Sequence, residues 1–257
     1  MEVITVANNK GGVGKTMQCY QLACHLASKG HRVLAIDLDS QANLSSTFDV
    51  QIQRTLIPEW LIGDVDAEDI IIPSEGKGEL HENIFLIPSS RHLANLSKLL
   101  ILSESEIRKN AGRKERLLSL RLDKIKEEFD YVVIDTPPML GDELIMALVA
   151  SDRILIPTQA QDYSIDGLEE LMDTFEIIKE TENPKLEFAI IPSMVNLRRK
   201  IERQRMEELS QQFNITPPVR NLVKMQESIS TRRPVCSMTK KTRARMDYDE
   251  LWKSLNL

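Results

Sequence analysis

Short apolar runs alternate along this chain with longer stretches whose apolar residues recur every three or four positions. The runs predict buried strands near 2–7, 32–37, 83–88, 130–135, 152–157 and 187–193, with a short one near 215–219. The longer stretches predict helices near 15–29, 91–102, 106–128, 141–150, 164–181 and 198–213, and two more within 221–255. Strands apolar on both faces and separated by helices imply an α/β fold: a mostly parallel, twisted sheet covered by helices on both sides. Residues 49–82 break the alternation with Pro58, Gly63, Pro73, Gly76 and Gly78, and a surface excursion is expected there. No internal repeat or low-complexity tract is visible, and 257 residues suit a single domain spanning 1–257.

Ligands of such sheets bind beyond the carboxyl ends of the strands, so the residues following each run carry the chemistry. Val3-Ile4-Thr5-Val6-Ala7 leads directly into Asn8-Asn9-Lys10-Gly11-Gly12-Val13-Gly14-Lys15-Thr16 and then a helix. Gly11, Gly12 and Gly14 let the backbone fold tightly enough for successive N–H groups to face one phosphate chain. Lys15 is placed to reach the β- and γ-phosphates, and the Thr16 hydroxyl to hold Mg²⁺. The helix that follows points its positive end at the same phosphates, with Val13 and Met17 along the nucleotide-facing stretch. A plain glycine-rich turn would not need lysine and threonine in this register, so the expectation is a P-loop NTPase holding its nucleotide with Mg²⁺. A second element, Tyr131-Val132-Val133-Ile134-Asp135, ends an apolar strand in a carboxylate suited to fix Mg²⁺ directly or through water. A third strand ends at Asp37 with Asp39 two residues on; this pair could serve the cation or simply cap the next helix.

Lys10-Gly11-Gly12-Val13-Gly14-Lys15-Thr16 resembles the deviant Walker A motif of the ParA/MinD family of ATPases, and the chain as a whole resembles its ParA/Soj type. In that family the first lysine crosses a dimer interface to the partner's nucleotide. The resemblance therefore assigns Lys10 to catalysis in trans, beside Lys15; a solvated loop cation is the plain alternative. Asp37-Leu38-Asp39-Ser40-Gln41 looks like the family's second signature, with Ser40 in place of a proline. By position, Asp39 would orient the attacking water and Asp37 would sit near the Mg²⁺ shell. Asp135-Thr136-Pro137-Pro138 resembles the loop that senses the γ-phosphate, and Tyr163-Ser164-Ile165-Asp166-Gly167-Leu168 resembles a helix start of the same family. Asn9 stands where a common phosphate loop has glycine, a tolerable change because asparagine visits turn conformations cheaply. Asn196 sits where relatives place an adenine-contacting asparagine, and Pro217-Pro218-Val219 resembles the loop lying against the adenine. Both could equally be turn residues. The match runs with gaps from residue 2 to about 235.

Net charge is −6, yet residues 196–257 carry fourteen Lys or Arg against seven Asp or Glu. Such a face can bind DNA phosphates without reading sequence, or it can be merely solvated. The resemblance favours nonspecific double-stranded DNA, with Arg198, Arg199, Arg220, Lys224, Arg243 and Arg245 as candidate contacts. It also implies an ATP-state homodimer, a ParB-type adaptor that stimulates hydrolysis, and partition of a plasmid or chromosome region without an N-terminal helix-turn-helix domain. Two related readings differ in partner: a nucleoid-tracking ATPase moving a protein cargo, and a MinD-like membrane-positioning ATPase. The second needs an amphipathic end, and only Leu251, Trp252 and Leu255 supply one, beside three acids. Cys19, Cys24 and Cys236 show neither metal-ligand nor disulfide spacing, which fits a reducing cytoplasm and opposes an iron–sulfur reductase. No run of 18 apolar residues occurs, and no signal segment or stable membrane association is expected.

Overall fold

In a computed structural model, which describes residues 1–75, 79–159 and 165–257, seven strands form one sheet in the order β3-β4-β2-β5-β1-β6-β7. These are β1 (Glu2–Val6), β2 (Val33–Asp37), β3 (Ile72–Pro73), β4 (Ile84–Ile87), β5 (Tyr131–Asp135), β6 (Arg153–Gln159) and β7 (Glu187–Ser193). All pairings are parallel except the two-residue β3, which runs antiparallel to β4 at the edge. The six principal strands fall where the apolar runs predict them, because a parallel strand buried on both faces needs a continuous apolar stretch. The segment near 215–219 makes only single-residue parallel bridges, Ile190 with Ile215 and Val195 with Arg220. Pro217 and Pro218 lie between them and supply no N–H, so the ladder cannot continue.

Alternate residues of each strand face opposite layers. Ile4, Val6, Val33, Ala35 and Val133 pack with α1 (Lys15–Ser28), while Val3, Leu34, Ile36, Val132 and Ile134 pack in a second core on the other face. The second core includes Ile57, Trp60 and Leu61 of α3 (Ile57–Ile62), preceded by α2 (Asn43–Thr47). Part of the 49–82 stretch is therefore core: Pro58, a turn signal in the sequence, sits in the first turn of α3, where its missing N–H has no intrahelical role. Gly63 closes that helix at φ 101°. Gly76 and Gly78 lie outside the described residues, as does the predicted helix start at Tyr163-Ser164.

The helix expected over 106–128 is broken. After α4 (Leu96–Leu102), the chain forms α5 (Glu104–Asn110), a 3₁₀ turn at Lys114–Arg116, and α6 (Leu117–Lys124). Gly112 at φ 74° ends the first half in a left-handed conformation that lets the second half repack on the sheet. Next come α7 (Asp142–Ala150), α8 (Ile165–Thr181), α9 (Lys200–Gln212), α10 (Val223–Ser230) and α11 (Arg243–Ser254). α1 is enclosed between the sheet and this C-terminal region, and Cys19 and Cys24 are buried along it. Leu251, Trp252 and Leu255 are buried in the same core, so the apolar face of α11 is spent inside the molecule. One buried amide joins the layers: Gln21 Nε2 donates to Ser228 Oγ at 2.7 Å, and its Oε1 accepts the Val235 N–H at 2.9 Å.

Candidate nucleotide site

β1 sits between β5 and β6, and its register with β5 places Val6 beside Asp135; β2 places Asp37 opposite the same residue. The loop after β1 and two carboxylates thus converge because three strands end in step. Gly14 precedes α1 at φ 97°, ψ 22°, and Gly12 has φ 76°, conformations that side chains other than glycine's rarely adopt. A Cβ on Gly14 would also lie 3.3 Å from both Ser193 Oγ and Met194 Cε. Val13 is buried beneath the loop, while Gly11, Gly12 and Lys10 are exposed and Met17 half-buried.

The Lys15 side chain is almost fully buried and its Nζ donates to the Lys10 carbonyl at 2.9 Å. Burial lowers its pKa, opposed by the charges of Asp135 and Asp39. Thr16 Oγ1 donates to Asp135 Oδ2 at 2.7 Å. The other oxygen of Asp135, Oδ1, is buried without a hydrogen-bond partner. Burial first, and the neighbouring Asp37 charge second, push the Asp135 carboxyl well above the usual carboxylate range. Burial likewise raises Asp37, against the donors that surround it. An orphaned carboxylate oxygen beside a hydroxyl, in an excess of negative charge, suits a hard divalent cation. Mg²⁺ takes few protein ligands and fills the rest with water and phosphate oxygens, which matches this sparse donor set.

Asp37 is held differently. Its Oδ2 accepts from the Ser45 N–H at 2.8 Å and Ser45 Oγ at 2.7 Å, and its Oδ1 from the Asp39 N–H at 3.1 Å. It therefore fastens the Asp39 loop and the first turns of α2, the capping alternative, while standing beside Asp135. Asp39 Oδ1 accepts the Gln41 N–H at 2.9 Å. Thr136 Oγ1 donates to the Val6 carbonyl at 2.9 Å, tying the loop after β5 to β1.

Asn196 lies just beyond β7 with its Oδ1 accepting the Arg198 N–H at 3.1 Å, the geometry of a turn residue, and its own N–H donates to Glu202 at 2.7 Å. Pro217 and Pro218 lie half-buried on the adjoining loop. The predicted basic contacts divide sharply. Arg198 and Arg243 are exposed; Arg199 and Lys224 are exposed and form 3.3 Å and 2.6 Å pairs with Glu202 and Glu227. Arg220 is different: its Nε donates to Asp247 Oδ1 and Oδ2 at 3.0 and 2.9 Å, its Nη2 bonds Oδ1, and its backbone N–H donates to Oδ2 at 3.1 Å. Arg245 Nε donates to both oxygens of Asp249 at 2.7 and 2.9 Å, and its guanidinium also bonds the Cys236 carbonyl. Arg220 and Arg245 are thus committed within the fold.

Sequence reasoning passed over Ser45 and two amides. Asn8 and Gln159 donate to the Pro157 and Gly12 carbonyls at 2.9 and 2.7 Å, clamping the loop to β6. Their only signal was position, an amide directly after a strand and another at a strand end.

Residues 1–188 match the family model described as an AAA domain (AAA_31). The chain is 31% identical over 261 residues to the sporulation initiation inhibitor protein Soj of Bacillus subtilis, covering 99% of this chain and 98% of Soj. A plasmid partition protein of Borrelia burgdorferi B31, solved with AMPPNP, superposes with a TM-score of 0.80 at 25% identity, over 99% of this chain and 98% of its own. A cobyrinic acid a,c-diamide synthase of Mycobacterium smegmatis, solved with ADP and magnesium, gives a TM-score of 0.80 at 25% identity, over 100% and 94%. A lysine-bearing phosphate loop, a Walker B carboxylate and a full-length match to Soj thus agree: the chain belongs to the ParA/MinD-type family of P-loop ATPases.

Proposed function

We propose that this chain is a partition-type ATPase whose ATP-bound dimer holds DNA without reading its sequence and lets go on hydrolysis. The observation that carries the reading is the cluster of Lys15, Thr16, Asp135 and Asp39 at three adjoining strand ends, with the exposed Lys10 meeting Lys15 through its backbone carbonyl. ATP would lie along Gly11–Thr16, with Thr16 and Asp135 holding Mg²⁺ and Lys15 on the phosphates. Mg²⁺ neutralises charge on the transferring phosphoryl group. Asp39 would position the attacking water, and Lys10 of each subunit would complete the site of the other. Asn196, Pro217 and Pro218 would border the base.

Exposed cations of the C-terminal third, among them Arg198, Lys200, Arg233, Lys240, Lys241 and Arg243, would meet the phosphates of duplex DNA. A ParB-type adaptor would trigger hydrolysis, and the location would be nucleoid-associated and cytoplasmic, a reading in keeping with the likeness to Soj and to a plasmid partition protein. Moving a protein body instead of DNA would use the same chemistry. A membrane-positioning role is disfavoured by the buried α11 face, which leaves Leu251, Trp252 and Leu255 unavailable to lipid.

The test is binding to random-sequence duplex DNA with ATP, ADP or no nucleotide over a salt series. ATP-dependent binding that weakens steeply with salt is the expected result. Absence of binding in every nucleotide state would refute the DNA reading.

A further inference from the structure

We propose that Asn8 is the positioning residue of Lys10, fixing the backbone from which the Lys10 ammonium leaves its own subunit; this rests on the two-subunit site proposed above. The β1–β6 ladder reaches its last regular rung at the Ala7 N–H, which donates to the Leu155 carbonyl at 3.0 Å. At the next acceptor along β6, the Pro157 carbonyl, the side-chain Nδ2 of Asn8 binds at 2.9 Å. The same amide then uses its Oδ1 to accept the Lys10 backbone N–H at 2.9 Å. Asn8 is 7% exposed, and both ends of its amide are engaged. The anchor is rigid, since Pro157 is fixed in register against Ile191 of β7. Gln159, two residues further along β6, holds the other arm of the loop through the Gly12 carbonyl.

Both backbone polar groups of Lys10 are therefore held, its N–H by Asn8 and its carbonyl by Lys15 Nζ. These grips differ in kind. The Lys15 ammonium is also the group proposed to meet the phosphates, so its donors would be shared with the nucleotide, whereas both ends of the Asn8 amide are engaged within the fold. Asn8 is thus the side chain that would hold the Lys10 backbone in either state, where its ammonium can reach across to a second subunit. A catalytic group displaced by about an ångström can lose about 100-fold in rate, so the loss of this anchor is read in turnover.

The experiment compares Asn8→Ala, Asn8→Asp, Lys10→Ala and the Asn8→Ala/Lys10→Ala double variant with the parent protein. Fluorescent-ADP affinity, AMPPNP-dependent dimerisation and steady-state Mg-ATP turnover on random-sequence duplex DNA are measured for each. Asn8→Ala is expected to keep ADP affinity within about threefold, because Lys15 and the glycines are intact, and to lose turnover about 10- to 100-fold with the dimer weakened. The double variant should be no worse than Lys10→Ala. Asn8→Asp keeps an acceptor for the Lys10 N–H but has no donor for the Pro157 carbonyl, so it should lose turnover as Asn8→Ala does; being nearly isosteric, it also covers the case in which Asn8→Ala folds poorly. Parent-like turnover in Asn8→Ala or Asn8→Asp, or additive losses in the double variant, would each overturn the assignment. If Lys10→Ala itself dimerises and turns over normally, it is the two-subunit site that fails.

Discussion

Replacing Arg220 by alanine separates two meanings of a basic residue in a basic region. Asp247, whose side chain is 4% exposed, receives three kinds of donor from Arg220. Removing the guanidinium leaves a buried carboxylate with only a backbone N–H. Breaking a buried pair from one side costs about 3–5 kcal/mol, and the partial exposure of Arg220 sets the lower end, about 3 kcal/mol. For a chain of this length that lowers the melting midpoint by about 6–12 °C. Urea unfolding at pH 7 measures the stability, and the double variant Arg220→Ala/Asp247→Ala should regain part of it, because no carboxylate is then stranded. DNA affinity over a salt series gives the second reading. Each lost phosphate contact lowers the slope of log K against log salt by about one. Arg220→Ala should leave that slope unchanged, whereas Arg243→Ala should reduce it. A variant of Arg220 with parent stability and a slope reduced by about one would refute the reasoning.

Three further outcomes follow from the site and its surroundings. Gly14→Ala forces a side chain into a left-handed conformation and against Ser193 and Met194, at about 1–2 kcal/mol for the backbone alone, and should abolish nucleotide binding in calorimetric titration. Asp135→Asn removes a carboxyl that burial and the Asp37 charge raise to a pKa of about 8, so that folding at neutral pH must take up a proton; the nucleotide-free protein should melt higher than the parent while Mg²⁺-dependent nucleotide affinity collapses. Burial lowers the His25 pKa to about 4, so the folded chain keeps this imidazole neutral while the unfolded chain protonates it below about 6.5. Its contribution is constant above that pH and falls on acidification, by about 2 kcal/mol at pH 5 and about 3 kcal/mol at pH 4. His25→Gln should flatten the acid limb of stability measured by denaturant titration.

How far the sequence could be read depended on whether a feature was local. β1, β2 and β5 were legible because each is a buried apolar run closed by a loop or carboxylate, and chemistry sits where such runs stop. The break between α5 and α6 was hidden, because both halves carry helical periodicity and Gly112 reads as one tolerated glycine. α3 was hidden by Pro58, a breaker inside a helix and a favourable residue at its start. Pairing was least visible. Arg220 and Asp247 lie 27 residues apart, so a charge count treats the arginine as free. Asp37 shows the same limit from the acidic side: its position at a strand end was clear, but Ser45, which takes one of its oxygens twice, is brought to it by a turn.

The Gln21 amide that bridges α1 to Ser228 and Val235 is uncharged. It neither titrates near neutrality nor is screened by ions, unlike contacts with a polyanion. On the proposed DNA reading, rising ionic strength would strip DNA from the outer cations while the helix beginning at Lys15 stays fastened to the segment bearing Arg232 and Arg233. Release by salt and release by hydrolysis would then be separable events. A salt-washed molecule would keep its internal connection and could rebind at once, whereas one that had consumed its nucleotide would have lost the charged group at the far end of that helix.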